Sequence, residues 1–170
     1  MEKFIDLAAK RYSQRRFNDN QIESEKLDQI LESARLAPTA ANKQPQRIKV
    51  ITKADDLAKV DACTPCRFGA PTVLLICYDK NETWKREFDG ACSGEVDASI
   101  ITTHMMFAAE ELGLGSCWVM HFDPQKTIEL FDLQAHIVPV AMLPIGYPAE
   151  NARPSKLHTD RKPISDYLLD

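Results

Sequence analysis

The sequence has 170 residues, 44% of them apolar and 27% charged, so it can fold as one globular domain with a substantial core. Its formal net charge of −4 provides no general attraction to nucleic acid or to anionic membranes. No apolar run is long enough to cross a bilayer, and the first residues lack the features of a secretory signal. Because the five cysteines are an odd number, we expect reduced thiols in a cytoplasmic protein.

Helices and strands are predicted to alternate along the chain. The first helix covers residues 3–11, and the second begins with Ser24 as its N-cap and ends near Leu36 because Pro38 cannot continue it. The pattern then predicts a strand over 48–52, a helix over 54–62, a strand over 72–78, a helix over 96–112, a strand over 117–122, a helix from Asp123-Pro124 to about 131 and a strand over 138–143. This alternation favours a parallel α/β sheet. No glycine-rich loop follows the first strand, which argues against a dinucleotide site of the Rossmann type.

The helix predicted over residues 96–112 is apolar on more than one face. A helix of this kind must be covered on two sides, and in a short chain we expect the second cover to be a partner subunit. From residue 151 onward the chain is polar and ends in a short apolar pattern formed by Ile164, Tyr167 and Leu168. Such a tail cannot pack on itself, so we expect it to lie on a neighbouring surface.

A cluster of arginines follows the first predicted helix. Arg11, Arg15 and Arg16 surround Ser13, and guanidinium groups with a hydroxyl can converge on a phosphate. Alternatively, the cations only complement the C-terminal end of the first helix. Charge runs have little specificity, so this segment alone slightly favours the second interpretation.

Two prolines, Pro38 and Pro45, bracket small and amide residues directly after the second helix. This composition predicts a rigid loop in which Asn42 and Gln44 can donate to and accept from one planar heterocycle. An ordinary connection between a helix and a strand would explain the prolines but not the spacing of the amides.

Two later segments are also candidates for ligand binding. Residues 143–148 place a backbone N–H at the end of a strand, beside Gly146, which permits close approach of a planar ligand. A simple exit from the strand is the alternative. The tail carries several basic residues that either meet the same phosphate as Arg11 and Arg15 or only keep the tail soluble: Arg153, Lys156, His158, Arg161 and Lys162.

Five motifs occur in order along nearly the whole chain. They are Arg-x-Ser-x-Arg-x-Phe at 11–17, Pro-Thr-Ala-Ala-Asn-x-Gln-Pro at 38–45, Gly-Leu-Gly-Ser-Cys-Trp at 113–118, Pro-Ile-Gly-Tyr-Pro at 144–148 and Arg-Lys-Pro-Ile at 161–164. In this order and spacing they resemble the short form of the nitroreductase family. The resemblance implies an α+β fold, a three-layer sandwich whose mixed, mostly antiparallel sheet is flanked by helices, and thereby replaces the parallel sheet.

The resemblance also implies an intertwined homodimer with two symmetric FMN sites at the subunit interface. Residues 1–150 would form the FMN-binding domain, and residues 151–170 would form a C-terminal tail that wraps the partner subunit. The phosphate and ribityl chain of FMN would be held by Arg11, Ser13, Arg15 and either Arg161 or Lys162, with Tyr12 beside them. The isoalloxazine would be lined, in part from the partner chain, by Pro38, Thr39, Ala40, Asn42 and Gln44.

Pro144, Ile145 and Gly146 complete the implied site, with the backbone of Ile145 and Gly146 at the flavin N5 edge. Family members often carry a glutamate immediately before this glycine, whereas Ile145 retains only the backbone donor. The segment that usually supplies the substrate lid is also short here.

The resemblance implies that hydride passes from NADH or NADPH through flavin N5 to a small electron-poor acceptor of the nitroaromatic or quinone type. No catalytic side chain is assigned because the chemistry belongs mainly to the cofactor. No metal is expected because the four histidines lack ligand spacing.

One alternative is a flavin-binding or dithiol redox protein without nitroreductase turnover, in which Cys63 and Cys66 form the dithiol. A thioredoxin-like dithiol needs a preceding strand and a nucleophile at a helix N-terminus. Here a predicted helix precedes Cys63, which weighs against this alternative.

Overall fold

The computed structural model describes residues 3–169. Its helices are α1 (Phe4–Lys10), α2 (Ser24–Leu36), α3 (Ala54–Cys63), α4 (Gly94–Glu111) and α5 (Pro124–Leu130). Its strands are β1 (Gln46–Ile51), β2 (Thr72–Asp79), β3 (Gly115–Ser116) and β4 (Ile137–Gly146). Short 3-10 helices cover Ala40–Asn42, Lys156–His158 and Ile164–Tyr167.

The four strands form one sheet in the order β1-β2-β4-β3, and every neighbouring pair is antiparallel. Ser13 adds one parallel contact beside Ser116 at the β3 edge, which makes the sheet mixed. The α+β prediction is therefore confirmed, and the parallel sheet favoured by alternation alone is wrong. The reason lies in the connection from β1 to β2, where α3 and the 64–71 loop return the chain to the end it has just left. Alternation along the sequence does not reveal this return.

Two apolar cores lie on opposite faces of the sheet and create the three layers. Strand β2 is buried along its whole length, with Leu74 and Ile76 in one core and Val73 and Leu75 in the other. Helices α2 and α4 cover the first core, while α3 and α5 contribute to the second. The alternation of side chains along a strand explains how one strand supplies both cores.

The strand predicted over residues 117–122 is the main error in the predicted elements. The regular strand ends at Ser116, although Val119 resumes pairing with Met142. Between them Cys117 N–H donates to the Pro144 carbonyl over 3.1 Å, but proline has no N–H with which to donate back. The ladder is therefore interrupted at this point.

The predicted helix starts are correct to within two residues. Helix α2 begins at Ser24 itself, with Glu23 as its N-cap, and α4 begins at Gly94 instead of residue 96. The Asp123-Pro124 start is confirmed, because the Asp123 side chain accepts a hydrogen bond from the Lys126 N–H at 3.0 Å.

The second apolar face of α4 is only partly covered within the protomer. Phe107 packs against Phe4 of α1 with ring centroids 5.0 Å apart, but Val96 at the start of the helix is 60% exposed. Several apolar side chains of the tail are also exposed, and Leu169 is 99% accessible. Among residues 3–169, no helix combines the length and apolar character needed to cross a membrane.

Candidate functional site

Two adjoining clefts share a wall formed by Ser13, Arg15 and Ser155. The Arg11 cleft, of about 240 Å³, is further lined by Arg11, Tyr12, Leu157, His158 and Arg161. The Arg16 cleft, of about 500 Å³, is further lined by Gln14, Arg16, Asn151, Ala152 and Arg153. The structure thus brings Arg161 of the tail together with Arg11, Ser13 and Arg15, which lie close to one another near the start of the chain. Lys162 lines neither cleft.

The nine arginines form two groups, those that make an ion pair with a carboxylate of the described residues and those that do not. Four of them form ion pairs at N···O distances of 2.5–2.7 Å: Arg35, Arg47, Arg67 and Arg86. The other five make no ion pair with a carboxylate of residues 3–169, and all five line the two clefts: Arg11, Arg15, Arg16, Arg153 and Arg161. Since like charges repel one another, an anion bound in the clefts would relieve the repulsion among the arginines that line them.

The backbone that carries these arginines is held in place at both ends. The Gln14 N–H donates to the Ser116 carbonyl over 2.9 Å, and the Ala149 N–H donates to the Arg16 carbonyl over 3.0 Å. In an extended segment alternate side chains point to opposite sides. Gln14 is buried and lines only the Arg16 cleft, while Ser13 and Arg15 line both clefts.

Gly115 makes room for the buried Gln14 side chain. A Cβ atom at position 115 would lie 2.5 Å from Gln14 Cγ, so a larger residue would displace Gln14 and the segment that carries Ser13 and Arg15. The close approach of the Gln14 side chain, and not an unusual backbone torsion, therefore explains why residue 115 is a glycine.

Among residues 3–169, no carboxylate side chain lines either cleft. Burial raises the pKa of the Cys117 thiol, and this effect outweighs the opposing influence of Arg15 and Arg11. Burial and the nearby Glu110 likewise raise the pKa of Tyr12, against the influence of Arg153. Both groups therefore stay protonated and uncharged at neutral pH. The clefts remain strongly cationic.

The loop formed by residues 38–44 has an unusual backbone. Ala41, Asn42 and Gln44 have positive φ values of 49°, 53° and 50°, a region that costs non-glycine residues roughly 1–3 kcal/mol each. The Ala40 N–H donates to Asp97 Oδ1 over 2.9 Å, and the Gln44 N–H donates to Thr39 Oγ1 over 3.0 Å. The surrounding structure holds this loop in one strained conformation.

Within one protomer this loop does not line either of the arginine clefts. Ala40 instead lines a third cleft, together with Trp84, Cys92, Val96 and Asp97. The predicted isoalloxazine contacts and the predicted phosphate contacts therefore lie in separate places on the protomer.

Pro144, Ile145 and Gly146 line neither of the arginine clefts. Ile145 has no exposed surface and belongs to the core beneath α4, and its strand is paired on both sides. A Cβ atom at position 146 would lie 2.9 Å from Pro71 Cδ, so close packing accounts for the glycine. The expectation that the backbone of Ile145 and Gly146 lies at the flavin N5 edge stays a prediction.

The Cys63–Cys66 pair does not have the arrangement that activates a thiol. Cys63 is the last residue of α3 and is buried, Cys66 is partly buried, and both are free thiols. A reactive cysteine is favoured at a helix N-terminus, which is the opposite end.

Sequence reasoning missed Gln14 and Asp97. It named Arg16 in the arginine cluster without assigning it to the FMN site, and it left the role of Arg153 open. Arg16 and Arg153 are recognisable only by where they lie and by the lack of a carboxylate partner within the described part of the chain. Asp97 is 1% exposed, yet nothing in the helical pattern of α4 distinguishes it from a surface carboxylate.

The fold and the clefts define the class of the protein, an α+β three-layer sandwich with two adjoining arginine-lined clefts. The model of the nitroreductase family matches residues 8–65 and 65–147. The chain therefore belongs to the nitroreductase family and is an oxidoreductase.

Three relatives illustrate the similarity. A nitroreductase family protein from Clostridium difficile 630 is 39% identical, with a TM-score of 0.93 over 99% of this chain and 98% of that chain. An FMN-dependent nitroreductase from Clostridium difficile R20291 is 27% identical, with a TM-score of 0.78 over 94% of this chain and 95% of that chain. The FMN reductase (NAD(P)H) of Bacillus subtilis is 32% identical over 81% of this chain, which spans 63% of that relative.

Proposed function

We propose that this protein is an FMN-dependent oxidoreductase that takes hydride from NADH or NADPH and delivers it to a small electron-poor acceptor of the nitroaromatic or quinone type. The observation that carries the proposal is the convergence of Arg11, Arg15 and Arg161 on Ser13 in the Arg11 cleft. Two of the relatives carry FMN in their names, which supports the choice of cofactor.

The residues of the Arg11 cleft fit a phosphate monoester. Such a group has three acceptor oxygens and a charge of about −1.5 to −2 at pH 7. The guanidinium groups and the Ser13 hydroxyl supply matching donors. Arg161 is oriented in advance, because its Nη1 donates to the carbonyls of Leu157 and Asp160 over 3.1 and 2.9 Å. Tyr12 and His158 form an aromatic pair on this wall, with ring centroids 6.0 Å apart.

Bound FMN supplies the hydride-accepting chemistry, and the chain binds and orients it. We assign the phosphate and ribityl contacts to Arg11, Tyr12, Ser13, Arg15 and Arg161. We assign the isoalloxazine contacts to the partner's copy of the 38–44 loop, namely Pro38, Thr39, Ala40, Asn42 and Gln44. The separation of this loop from the clefts within one protomer supports a site shared between two subunits.

We therefore propose a homodimer in which residues 1–150 form the FMN-binding domain and residues 151–170 wrap the partner subunit. The exposure of Ile164 (77%), Tyr167 (67%) and Leu168 (69%) on the tail supports this assignment. All five cysteines are free thiols, which agrees with a cytoplasmic protein.

Light scattering tests the dimer. The triple variant Ile164→Ser, Tyr167→Ser, Leu168→Ser should be monomeric at concentrations where the wild type is dimeric. Val50→Ser, a partly exposed site on the edge strand β1, is the matched control and should remain dimeric. A wild type that is monomeric at all concentrations would refute the shared site.

An absorption spectrum tests the cofactor and the reaction class. We expect flavin bands in the purified protein that bleach on anaerobic addition of NADH or NADPH and return when a quinone or nitroaromatic compound is added. A colourless protein that does not bind added FMN would overturn the proposal. A flavin that neither nucleotide reduces would instead favour the flavin-binding alternative without turnover.

A further inference from the structure

The Arg16 cleft contains more positive charge than the proposed FMN phosphate needs. Arg11, Arg15 and Arg161 together with Ser13 already match one phosphate monoester in the Arg11 cleft. Arg16 and Arg153 line the Arg16 cleft but not the Arg11 cleft. A single phosphate would therefore leave these two guanidinium groups uncompensated.

One of the two arginines in the Arg16 cleft is held in position by hydrogen bonds. Arg153 is oriented by its own backbone, because its Nη1 donates to the carbonyls of Ala152 and Glu150 over 2.6 and 3.1 Å. Among the described residues that line this cleft there is no carboxylate, and Asn151 and Ser155 add uncharged donors. The remaining donors of two guanidinium groups are thus available to a phosphate.

A buried polar group lies beside these arginines. Gln14 lines the cleft at 1% exposure, and within residues 3–169 its Oε1 atom has no hydrogen-bond partner. A buried acceptor without a donor is unfavourable by about 1–3 kcal/mol, so such atoms commonly mark a missing ligand group or water. The Nε2 atom of the same amide donates to the Arg16 carbonyl, so Gln14 is bonded to the backbone that carries one of the two arginines.

We propose that the Arg16 cleft binds a phosphate group of the pyridine nucleotide reductant. This inference rests on the proposed function, since a nucleotide that delivers hydride must bind beside the FMN. The two clefts share Ser13, Arg15 and Ser155, which places a second phosphate ester next to the first. The group is either the 2′-phosphate that only NADPH carries or the diphosphate that NADPH and NADH share.

Steady-state kinetics of the FMN-loaded enzyme tests this assignment. Arg16→Gln and Arg153→Gln should each raise the KM for NADPH by about tenfold, as expected for loss of a charge-assisted hydrogen bond, without changing kcat. If the KM for NADH stays constant, the group is the 2′-phosphate. If both KM values rise, the group is the diphosphate. Either result supports the proposal.

Arg35→Gln is the matched control, because it removes the same charge from an arginine that is paired with Glu32 away from the clefts. This variant should leave the KM for both nucleotides unchanged. Equal effects of Arg35→Gln and Arg16→Gln would mean that only the overall charge matters and would overturn the proposal.

Two further outcomes would also overturn it. If Arg16→Gln and Arg153→Gln weaken FMN binding and leave both KM values unchanged, the cleft belongs to the FMN phosphate. If neither FMN binding nor either KM changes, the cleft binds no part of the reductant. Failure of the proposed function is distinguishable, because the wild-type flavin would then not bleach with either nucleotide.

Discussion

The Asp97 carboxylate joins α4 to the 38–44 loop by accepting a hydrogen bond from the Ala40 N–H at 2.9 Å. Its other oxygen accepts from Ser93 Oγ at 2.7 Å, and the side chain is almost completely buried. Burial of a carboxylate costs free energy unless the group is hydrogen-bonded. The hydrogen bonds from Ala40 and Ser93 therefore stabilise the buried Asp97 side chain. Through it, the start of α4 fixes the loop to which we assign the isoalloxazine contacts.

Replacing Asp97 should therefore loosen the loop. In Asp97→Ala the Ala40 N–H and the Ser93 hydroxyl lose their acceptor, and we expect the free energy of unfolding to fall by about 2–3 kcal/mol. FMN affinity should fall as well. Asp97→Asn is the control, because its amide oxygen can still accept from the Ala40 N–H. This variant should retain most of the free energy of unfolding and most of the FMN affinity. Urea unfolding and FMN fluorescence titration measure them, and equal losses in the two variants would contradict the role of this contact.

Arg15 should distinguish FMN from riboflavin, which has no phosphate. We expect Arg15→Ala to weaken FMN binding by roughly 10- to 100-fold, since it removes charge-assisted hydrogen bonds. Riboflavin affinity should hardly change. Fluorescence titration of the apoprotein with both ligands provides the comparison, and Arg35→Ala serves as the charge-matched control. Parallel losses for the two flavins would show that Arg15 does not contact the phosphate.

Gly115 should tolerate no larger side chain while Gln14 is present. In Gly115→Ala the new Cβ would meet Gln14 Cγ at 2.5 Å, and we expect a loss of about 2 kcal/mol in the free energy of unfolding. In a Gln14→Ala background the same substitution should cost less than about 1 kcal/mol, because the colliding atoms are gone. Chemical denaturation of the four proteins in this cycle measures the coupling. An unchanged cost in the two backgrounds would show that Gln14 is not the neighbour that matters.

The buried thiol of Cys77 should make stability depend on alkaline pH. Burial raises its pKa from 9.0 to about 12 in the folded protein. A raised pKa in the folded state means that the thiolate is favoured in the unfolded state, so the stabilisation is complete below pH 9 and is lost as pH rises from 9 towards 12. The slope contributed by this group is about 1.4 kcal/mol per pH unit.

Unfolding in urea at pH 8 and at pH 10 measures this dependence. The wild type should lose about 1.4 kcal/mol more between the two values than Cys77→Ala does, because the variant lacks the titrating thiol. Cys92→Ala is the control at an exposed cysteine, and it should lose as much as the wild type. Identical pH dependence in wild type and Cys77→Ala would refute the assignment.

Local patterns were enough to predict most helices and strands. The apolar periodicity of α2 and the Asp123-Pro124 start of α5 depend on neighbouring residues, so they can be read from the chain directly. The apolar run in β2 likewise predicted a buried strand. The strand after α4 could not be predicted correctly, because its interruption depends on Pro144, a residue of the strand opposite it.

The motif order identified the family, and with it the antiparallel sheet and four residues that converge on one cleft: Arg11, Ser13, Arg15 and Arg161. The same reasoning did not show that Ile145 and Gly146 are buried in a paired strand, since a strand exit and a central strand have similar local sequences. Their burial follows from the neighbours β2 and β3, which are distant in the chain.

The sequence by itself determined most of the secondary structure, the family and the residues that carry positive charge, because these depend on residue type and short spacing. Only the tertiary structure decided which of the arginines lack a carboxylate partner, within the described part of the chain, and gather in the two clefts. It also decided that Asp97 is buried against Ala40. Charge compensation and burial depend on which residues are neighbours in space. The contact between Ala40 and Asp97 spans 57 residues of sequence, so no local pattern predicts it.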